Sequence, residues 1–461
     1  MKYRYKNSGV EWLGDMPEHW NTTKLKSHFW VMPSNVDKKV HEGEKEVKLC
    51  NYVDVYYNER ITAGIDFMLA TADDREIAKY TLEMNDVLVT KDSEDPHDIA
   101  VPAIVKHTEE RLLCGYHLSI LRRKSCNFRG DFLFWVLKDE AIASQLHREA
   151  CGVTRWAIAS RHIKNSVLPL PTIEEQEAIA AYLDDACAKL DRVVAIKEAQ
   201  LSRLQGQFSA VIHAVITRGL TGEKLIDSGI DWLGAIPKNW SIARLATLGT
   251  FVKGRGITKS ELIDDPDGVP ALLYGDIYTK YDYSTNAFTN RVNEDTAKKA
   301  LEIRQGDLIM TGSGESFEEI GKCVLYTGSE RAVAGGDTIV FRAHKINPAY
   351  LSYVLNSPIS ILQKASTAKG DIVVHTYPSE LRSIIFPLPP RDEQDAIVEH
   401  LDKARTNLDR MTGQRQNPNA SIIRAQIATL KAYRKSLIHE CVTGKKQVFG
   451  LATRTLVKEI A

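Results

Sequence analysis

The sequence contains one long internal repeat, and this repeat restricts the chain to a duplicated architecture. Residues 8–14 (SGVEWLG) return as residues 228–234 (SGIDWLG), and Trp20 returns at the same spacing as Trp240. The second copy therefore begins about 220 residues after the first. Repeats of 20 to 50 residues build solenoids, whereas a repeat this long predicts two whole domains of one kind.

A second pair of motifs closes each copy. Residues 168–171 (LPLP) match 386–389 (FPLP), and EQEAI at 175–179 matches EQDAI at 393–397. The chain therefore has the order A-B-A′-B′. The copies agree at their edges and differ in their middles, which predicts a shared role for the edges and two different roles for the middles.

The A segments, 1–167 and 223–385, are predicted to be mixed α/β domains. Short apolar runs at 86–90, 118–121, 307–311 and 338–341 are typical of buried strands. Helical spacing predicts one helix over 132–146 and another over 350–362. The Pro-Leu-Pro runs that end both segments predict extended linkers.

The B segments, 168–222 and 386–461, are predicted to be long spacer helices. Apolar residues recur in steps of three and four between 179 and 215, which favours a coiled-coil-like helix over 174–216. Such a helix is about 65 Å long. The second copy carries poor helix sequence around Pro418, so we expect an interruption there. Because one helix cannot bury its own apolar stripe, we expect the two to pack antiparallel.

Composition excludes several classes of protein. Of 461 residues, 43% are hydrophobic, and 60 basic side chains balance 60 acidic ones, which is typical of a globular chain. No apolar run reaches the roughly 18 residues that a membrane helix needs, and the basic first six residues lack a following apolar stretch. The seven cysteines are scattered without a C-x-x-C pair, which predicts a reduced, cytoplasmic protein.

Motifs for catalysis are missing from the sequence. Gly321-Lys322 lacks the rest of a phosphate-binding loop, and Gly254-Arg255-Gly256 and Gly312-Ser313-Gly314 lack the third glycine of a dinucleotide fingerprint. The histidines show no metal-binding spacing, and we predict no metal site. These observations favour a binding protein over an enzyme.

The duplicated motifs resemble those of a known family. Each half opens with S-G-[VI]-[ED]-W-L-G-x-x-P-x-x-W, and each spacer opens with P-L-P-x-x-x-E-Q-x-x-I followed by Leu-Asp. Residues 88–93 (LVTKDS), followed by 99–102 (IAVP), lie in the middle of the first half. Together these features resemble the specificity subunit of type I restriction–modification systems over nearly the whole chain.

The resemblance implies an α+β fold with two target-recognition domains, each reading one half of an asymmetric, bipartite double-stranded DNA site. Side chains in the polar loops of the A segments are the candidates for DNA contact, because bases and phosphates are bound chiefly by such groups. These candidates are Lys91, Ser93, Thr154, Arg155, Trp156, Ser160, Arg161, Arg255, Thr311, Ser313, Lys369, His375 and Tyr377. Trp12, Trp20, Trp232 and Trp240 recur in both copies and are predicted to be core residues.

The resemblance also implies partner subunits. The spacer helices would set the gap between half-sites and dock two methyltransferase subunits, and two restriction subunits would complete the prokaryotic complex. S-adenosylmethionine, ATP and Mg²⁺ would be used by those partners and not by this non-catalytic chain. The candidate partner contacts are Gln176, Ile179, Leu183, Leu190, Gln394, Ile397, Leu401 and Leu408, some of which must instead be buried between the two helices. An alternative is a two-armed protein scaffold without DNA specificity.

Overall fold

The computed structural model describes residues 3–370, 373–413 and 420–448. The chain divides into two compact units. Unit 1 comprises Met1–Ala195 with Thr429–Ala461, and unit 2 comprises Ile196–Ala428. Each unit thus contains one A segment together with parts of both spacer segments.

Unit 1 is built from short strands with helices between them. Its strands are β1 (Tyr5–Asn7), β2 (Asp15–Pro17), β3 (Asn21–Lys24), β4 (Phe29–Pro33), β5 (Lys45–Cys50), β6 (Arg60–Ile61), β7 (Met68–Ala72), β8 (Val87–Thr90), β9 (Asp92–Ser93), β10 (Pro102–Val105), β11 (Leu112–Cys114), β12 (Leu118–Arg123), β13 (Cys151–Gly152), β14 (Trp156–Ala157) and β15 (Val167–Leu170). Its helices are α1 (Tyr52–Tyr57), α2 (Asp74–Tyr80), α3 (Gly130–Lys138), α4 (Glu140–His147), α5 (Ser160–Asn165) and the first half of α6 (Ile173–Arg218).

Unit 2 repeats this arrangement. Its strands are β16 (Leu225–Asp227), β17 (Ala235–Pro237), β18 (Ser241–Arg244), β19 (Gly249–Lys253), β20 (Leu262–Ile263), β21 (Val269–Leu272), β22 (Ser284–Thr285), β23 (Asn290–Val292), β24 (Leu301–Ile303), β25 (Asp307–Thr311), β26 (Ser313–Gly314), β27 (Cys323–Tyr326), β28 (Ala332–Ala334), β29 (Thr338–Ala343), β30 (Val374–His375) and β31 (Ile385–Leu388). The helices that follow are α7 (Tyr274–Thr279), α8 (Glu294–Lys299), α9 (Pro348–Leu355), α10 (Pro358–Thr367), α11 (Pro378–Leu381), α12 (Arg391–Thr412) and α13 (Ile422–Val442), of which α13 passes back into unit 1 at Thr429.

The central sheets of the two units have the same topology. Unit 1 has the strand order β4-β12-β8-β10-β6, and unit 2 has β19-β29-β25-β27-β22. In both sheets the first three pairings are antiparallel and the last is parallel. The predicted strands are confirmed as β8, β12, β25 and β29. The middles of the two copies, although different in sequence, therefore share one backbone frame.

An apolar helix joins each central sheet to the spacer. Residues 132–137 of α3 (FLFWVL) have no polar side chain, so this stretch has to be covered on every side. All six side chains are buried. The one polar atom among them, Nε1 of Trp135, donates to Oδ1 of Asp184 on α6 across 2.8 Å. Tyr353 on α9 likewise donates to Asp402 on α12 across 2.6 Å.

The spacer helices pack antiparallel inside each unit, as predicted. In unit 1, Arg434 of α13 pairs with Asp191 of α6, while Lys446, just after α13, lies over the ring of Tyr182. Residue numbers therefore rise along α13 while those of its contacts on α6 fall, so the two helices run in opposite directions. The apolar residues Ile179, Leu183, Ala186, Leu190, Leu437, Ile438 and Cys441 are buried in the seam between these helices and the adjoining sheet domain.

The equivalent seam in unit 2 joins the second half of α6 to α12. Phe208, Ile212 and Ile216 are buried in one cluster with Ile397 and Leu401. The first spacer is one continuous helix of 46 residues, as the periodicity predicts. The second spacer is divided, since α12 ends at Thr412 and α13 begins at Ile422. Pro418, the expected point of interruption, lies outside the described residues.

Three details of the prediction were wrong. The helix expected over 132–146 is two helices, because the side chain of Asp139 caps a new one by accepting from the Ile142 N–H. The helix expected over 350–362 is divided in the same way before Pro358, which begins α10. Trp232 is not a core residue, because its side chain lies at the surface and is 53% exposed.

Across the described ranges, no helix is long and apolar enough to cross a membrane.

Candidate nucleic-acid interface

A small sheet at the end of strand β8 brings the unit 1 candidates together. Strand β14 pairs with β9, so that Trp156 lies opposite Ser93, and β13 pairs with β14 on its other side. The Ile158 N–H also donates to the Lys91 carbonyl across 2.9 Å. Candidate segments 91–93 and 154–156, which are distant in sequence, therefore share one sheet. Ser160 and Arg161 lie beyond it, in the first turn of α5.

The corresponding ladder in unit 2 joins β26 to β30 and gathers that unit's candidates. Ser313 lies opposite His375, and their side chains are hydrogen bonded, with 2.9 Å between Oγ and Nδ1. Lys369 exchanges two backbone hydrogen bonds with His375. A shallow cavity beside the ladder is lined by Lys253, Ser313, His375 and the half-exposed Tyr377. Arg255 is exposed and does not line this cavity.

Equivalent backbone positions carry different side chains in the two units. Asp92 and Ser313 each begin the inner strand of the ladder, β9 or β26. Arg155 and Val373 each immediately precede the outer strand, β14 or β30. His117 and Asp337 form a third pair, since they directly precede β12 and β29 respectively. The His117 carbonyl accepts from the Lys91 N–H, and the Asp337 carbonyl accepts from the Gly312 N–H.

In unit 1 these positions form a charged cluster. Nε and Nη2 of Arg155 donate to Oδ1 of Asp92 across 3.0 and 2.6 Å, and His117 Nδ1 contacts the same oxygen. The side chain of Asp92 is 15% exposed, whereas that of Arg155 is 51% exposed. Burial lowers the pKa of His117, against the attraction of Asp92. The imidazole is therefore neutral at neutral pH.

Four candidates are less accessible than the sequence suggests. Ser93, Thr311 and Ser313 are buried and offer no surface to a base, because alternate residues of these strands point into the domain. Their hydroxyl groups instead bond neighbouring side chains. Lys91 is half-buried, and its Nζ donates to the Ser34 carbonyl across 2.7 Å. Burial lowers the pKa of Lys91.

The other candidates differ in exposure. Thr154, Arg161 and Lys369 are exposed. Trp156 is half-buried, and its ring packs against the unit 1 core. Ser160 is half-buried at the start of α5.

A tyrosine-containing helix beside each ladder was missed by the sequence analysis. Helices α1 and α7 begin at Tyr52 and Tyr274, and in each an aspartate at the third position accepts from the backbone N–H before the helix. Tyr52 is hydrogen bonded to Ser93, and Tyr278 to Thr311. The signal was a third repeat, YVDVY at 52–56 and YGDIY at 274–278.

The eight candidate partner contacts are mostly buried inside the chain, as expected for those that pack between the helices. Every one except the half-buried Leu408 is buried within its own unit. Gln176 and Gln394 each accept a backbone N–H from the adjoining sheet domain, from Arg129 and Asn347 respectively. The apolar members fill the seams of the helices: Ile179, Leu183, Leu190, Ile397 and Leu401. Their recurrence in both copies matches the shared packing within the two units.

Among the residues that the structure describes, no group of three or more His, Cys, Asp or Glu side chains is arranged to hold a metal ion.

Comparison with known proteins agrees with this architecture. The family model for the type I restriction modification DNA specificity domain matches residues 237–417. The chain is 24% identical over 456 residues to the type I restriction enzyme MjaX specificity subunit of Methanocaldococcus jannaschii, covering 97% of this chain and 98% of that protein. It is 26% identical over 305 residues to the EcoBI specificity subunit of Escherichia coli, covering 64% of this chain and 63% of that protein.

A solved structure has the same fold. A chain from work on complex assembly and conformational transition of the type I R-M system superposes with a TM-score of 0.68 at 15% identity. The superposition covers 94% of this chain and 99% of that one.

Proposed function

Because the chain is similar to type I restriction–modification specificity subunits over nearly its whole length, we propose that each of its units reads one half of an asymmetric, bipartite DNA site. One observation carries this proposal. The ladders at β9–β14 and β26–β30 share a backbone frame but expose Arg155 in one unit and Val373 at the equivalent position of the other. A shared frame with different exposed side chains is what reading two unlike base sequences requires.

The spacer helices are proposed to set the distance between the half-sites. Helix α6 is continuous over 46 residues, which corresponds to about 69 Å. In each unit it packs antiparallel to α12 or α13 through a buried apolar seam. Spacing then becomes part of specificity, as it does for dimeric DNA-binding proteins.

We propose that two methyltransferase subunits dock on the repeated hairpin motifs and not on the spacer residues chosen from the sequence. The motif at 228–234 follows β16 and exposes Trp232, with Leu225 and Ile226 each about 40% exposed beside it in the chain. The same motif at 8–14 follows β1, and its Trp12 is half-buried against the unit 1 core. Aromatic residues that remain exposed are typical anchors of protein interfaces.

The complex is further proposed to contain two restriction subunits. S-adenosylmethionine, ATP and Mg²⁺ would bind those partners and the methyltransferase subunits, and this chain would supply sequence recognition without catalysis. The absence of phosphate-loop and dinucleotide fingerprints from the sequence supports this division of roles.

Adenine-methylation mapping by single-molecule sequencing tests the function. Cells would carry this chain with or without its methyltransferase partner. We expect one new split motif with unequal halves, present only when both proteins are made. Exchange of residues 1–167 with those of a relative should then change one half only. Methylation without a split motif, or none despite partner binding in a pull-down, would favour the protein-scaffold alternative.

A further inference from the structure

Arg155 lies at the tip of a hairpin that extends from the unit 1 ladder. Strands β13 and β14 are joined by residues 153–155, and all three are exposed, with Val153 at 94%. A short turn of this kind places its side chains in solvent while the paired strands hold its base. Arg155 therefore combines an anchored backbone with an accessible guanidinium group.

The guanidinium group is held along one edge. Asp92 Oδ1 accepts from both Nε and Nη2 of Arg155, and the carboxylate is itself contacted by His117. Within the described part of the chain, Nη1 makes no hydrogen bond. Nη2 also lies 3.1 Å from Nδ1 of His117, but that nitrogen donates to Asp92 Oδ1 and so does not accept from Nη2. The outer edge, formed by Nη1 and the second proton of Nη2, thus keeps donors that point away from Asp92. An arginine held in this way loses less rotamer freedom on binding a ligand.

The outer edge matches one base in particular. Guanine presents two acceptors, O6 and N7, in the major groove, and a bidentate arginine is the commonest specific contact to them. Adenine presents an acceptor and a donor at the corresponding positions, and a guanidinium group has no acceptor to offer. A phosphate could accept from the same edge, but that contact carries no sequence information.

At the equivalent positions of unit 2, all of which the structure describes, this cluster has no counterpart. The position of Arg155 is taken by Val373, which is 46% exposed, and the position of Asp92 by Ser313. His117 is replaced by Asp337, which directly precedes β29. The arginine edge is therefore a property of one unit, and any base preference that it creates belongs to one half-site.

We propose that Arg155 reads a guanine in the half-site bound by unit 1, and that Asp92 is the positioning residue that orients it. The inference rests on the proposed function, because it assumes that unit 1 binds a half-site.

The test uses the full chain in complex with its methyltransferase partner and a library of DNA duplexes randomised in both half-sites. For the wild-type complex we expect a required guanine in the unit 1 half. Arg155→Ala and Arg155→Lys should each relax that one position by about 5- to 150-fold, since lysine keeps the charge but not the fork. Arg75→Ala, which removes an exposed arginine on α2, is the matched control and should change nothing.

Asp92→Asn tests whether Asp92 orients Arg155 for base reading or only stabilises the fold. It should relax the same guanine position while the melting temperature and the preferences of the unit 2 half stay at wild-type values. The inference is overturned if the unit 1 half contains no required guanine, or if the Arg155 variants weaken binding equally for all sequences. Failure of the proposed function looks different, because the wild-type complex would then select no bipartite site.

Discussion

The indole Nε1 of Trp20 donates a hydrogen bond to Oε2 of Glu175 across 3.1 Å, although the two residues are 155 positions apart. The same bond recurs in unit 2 between Trp240 and Glu393, at 2.9 Å. Each bond joins the motif that opens a half to the motif that opens its spacer helix. The two repeated motifs are thus parts of one structural contact, which explains why both are present in both copies.

Replacement of Glu175 should make unit 1 less stable and less sensitive to acid. Burial opposes its ionisation, but hydrogen bonds from Tyr3, His19, the Thr172 N–H and Trp20 outweigh burial and lower the pKa of Glu175. A lowered pKa stabilises the fold above the ordinary carboxyl pKa of about 4.3, and this stability is lost as pH falls through the folded value.

We expect Glu175→Gln to lower the free energy of unfolding by about 1–3 kcal/mol at pH 7, with a smaller difference from wild type at acid pH. Urea unfolding at several pH values measures both effects. The neighbouring exposed Glu174→Gln is the control, and equal losses for the two variants would contradict the prediction.

Gln176→Ala should destabilise the chain but leave its binding to the methyltransferase subunit unchanged. The amide of Gln176 accepts from the Arg129 N–H across 2.9 Å and donates to the Pro171 carbonyl across 3.0 Å. Loss of these buried bonds should cost about 1–3 kcal/mol. Urea unfolding measures stability and a methyltransferase pull-down measures binding, with the exposed Glu177→Ala as control. Lost partner binding at unchanged stability would restore the original assignment of Gln176 as a partner contact.

Trp232→Ala should leave the stability of the chain nearly unchanged and weaken its binding to the methyltransferase subunit. Because the side chain is 53% exposed, we expect a change in stability within about 0.5 kcal/mol. Partner affinity should fall at least tenfold if the ring anchors the interface, since such anchors contribute about 2 kcal/mol or more. Isothermal titration with the methyltransferase subunit measures this. Trp30→Ala, an equally exposed tryptophan outside the repeated motif, should leave affinity unchanged.

His375→Ala should alter reading of the unit 2 half-site alone. The imidazole is hydrogen bonded to Ser313 and lines the cavity beside the ladder. Its removal deletes a polar group from this surface, so methylation mapping should show relaxed preference in one half and an unchanged second half. His344→Ala, which changes an exposed histidine after β29, is the control. Changes in both halves would argue against separate reading by the two units.

The candidate interface could be predicted only in part. The sequence located the segments around residues 91–93, 154–156, 311–313 and 369–377, and the ladders bring each unit's segments together. It did not show that Ser93 and Ser313 are buried while Arg155 is exposed. Which face of a two-residue strand points inward depends on pairing with residues some 60 positions away, and no local pattern records that pairing.

By itself the sequence determined the duplication, the long helix, the central strands and the resemblance to a family, because repeats, helical periodicity and apolar runs are properties of the local chain. Only the tertiary structure decided which repeated residues are packing residues and which are surface residues. Gln176 is buried and Trp232 is exposed, although both belong to repeated motifs. The physical reason is that burial is decided by the elements that pack against a residue, and these come from distant parts of the chain.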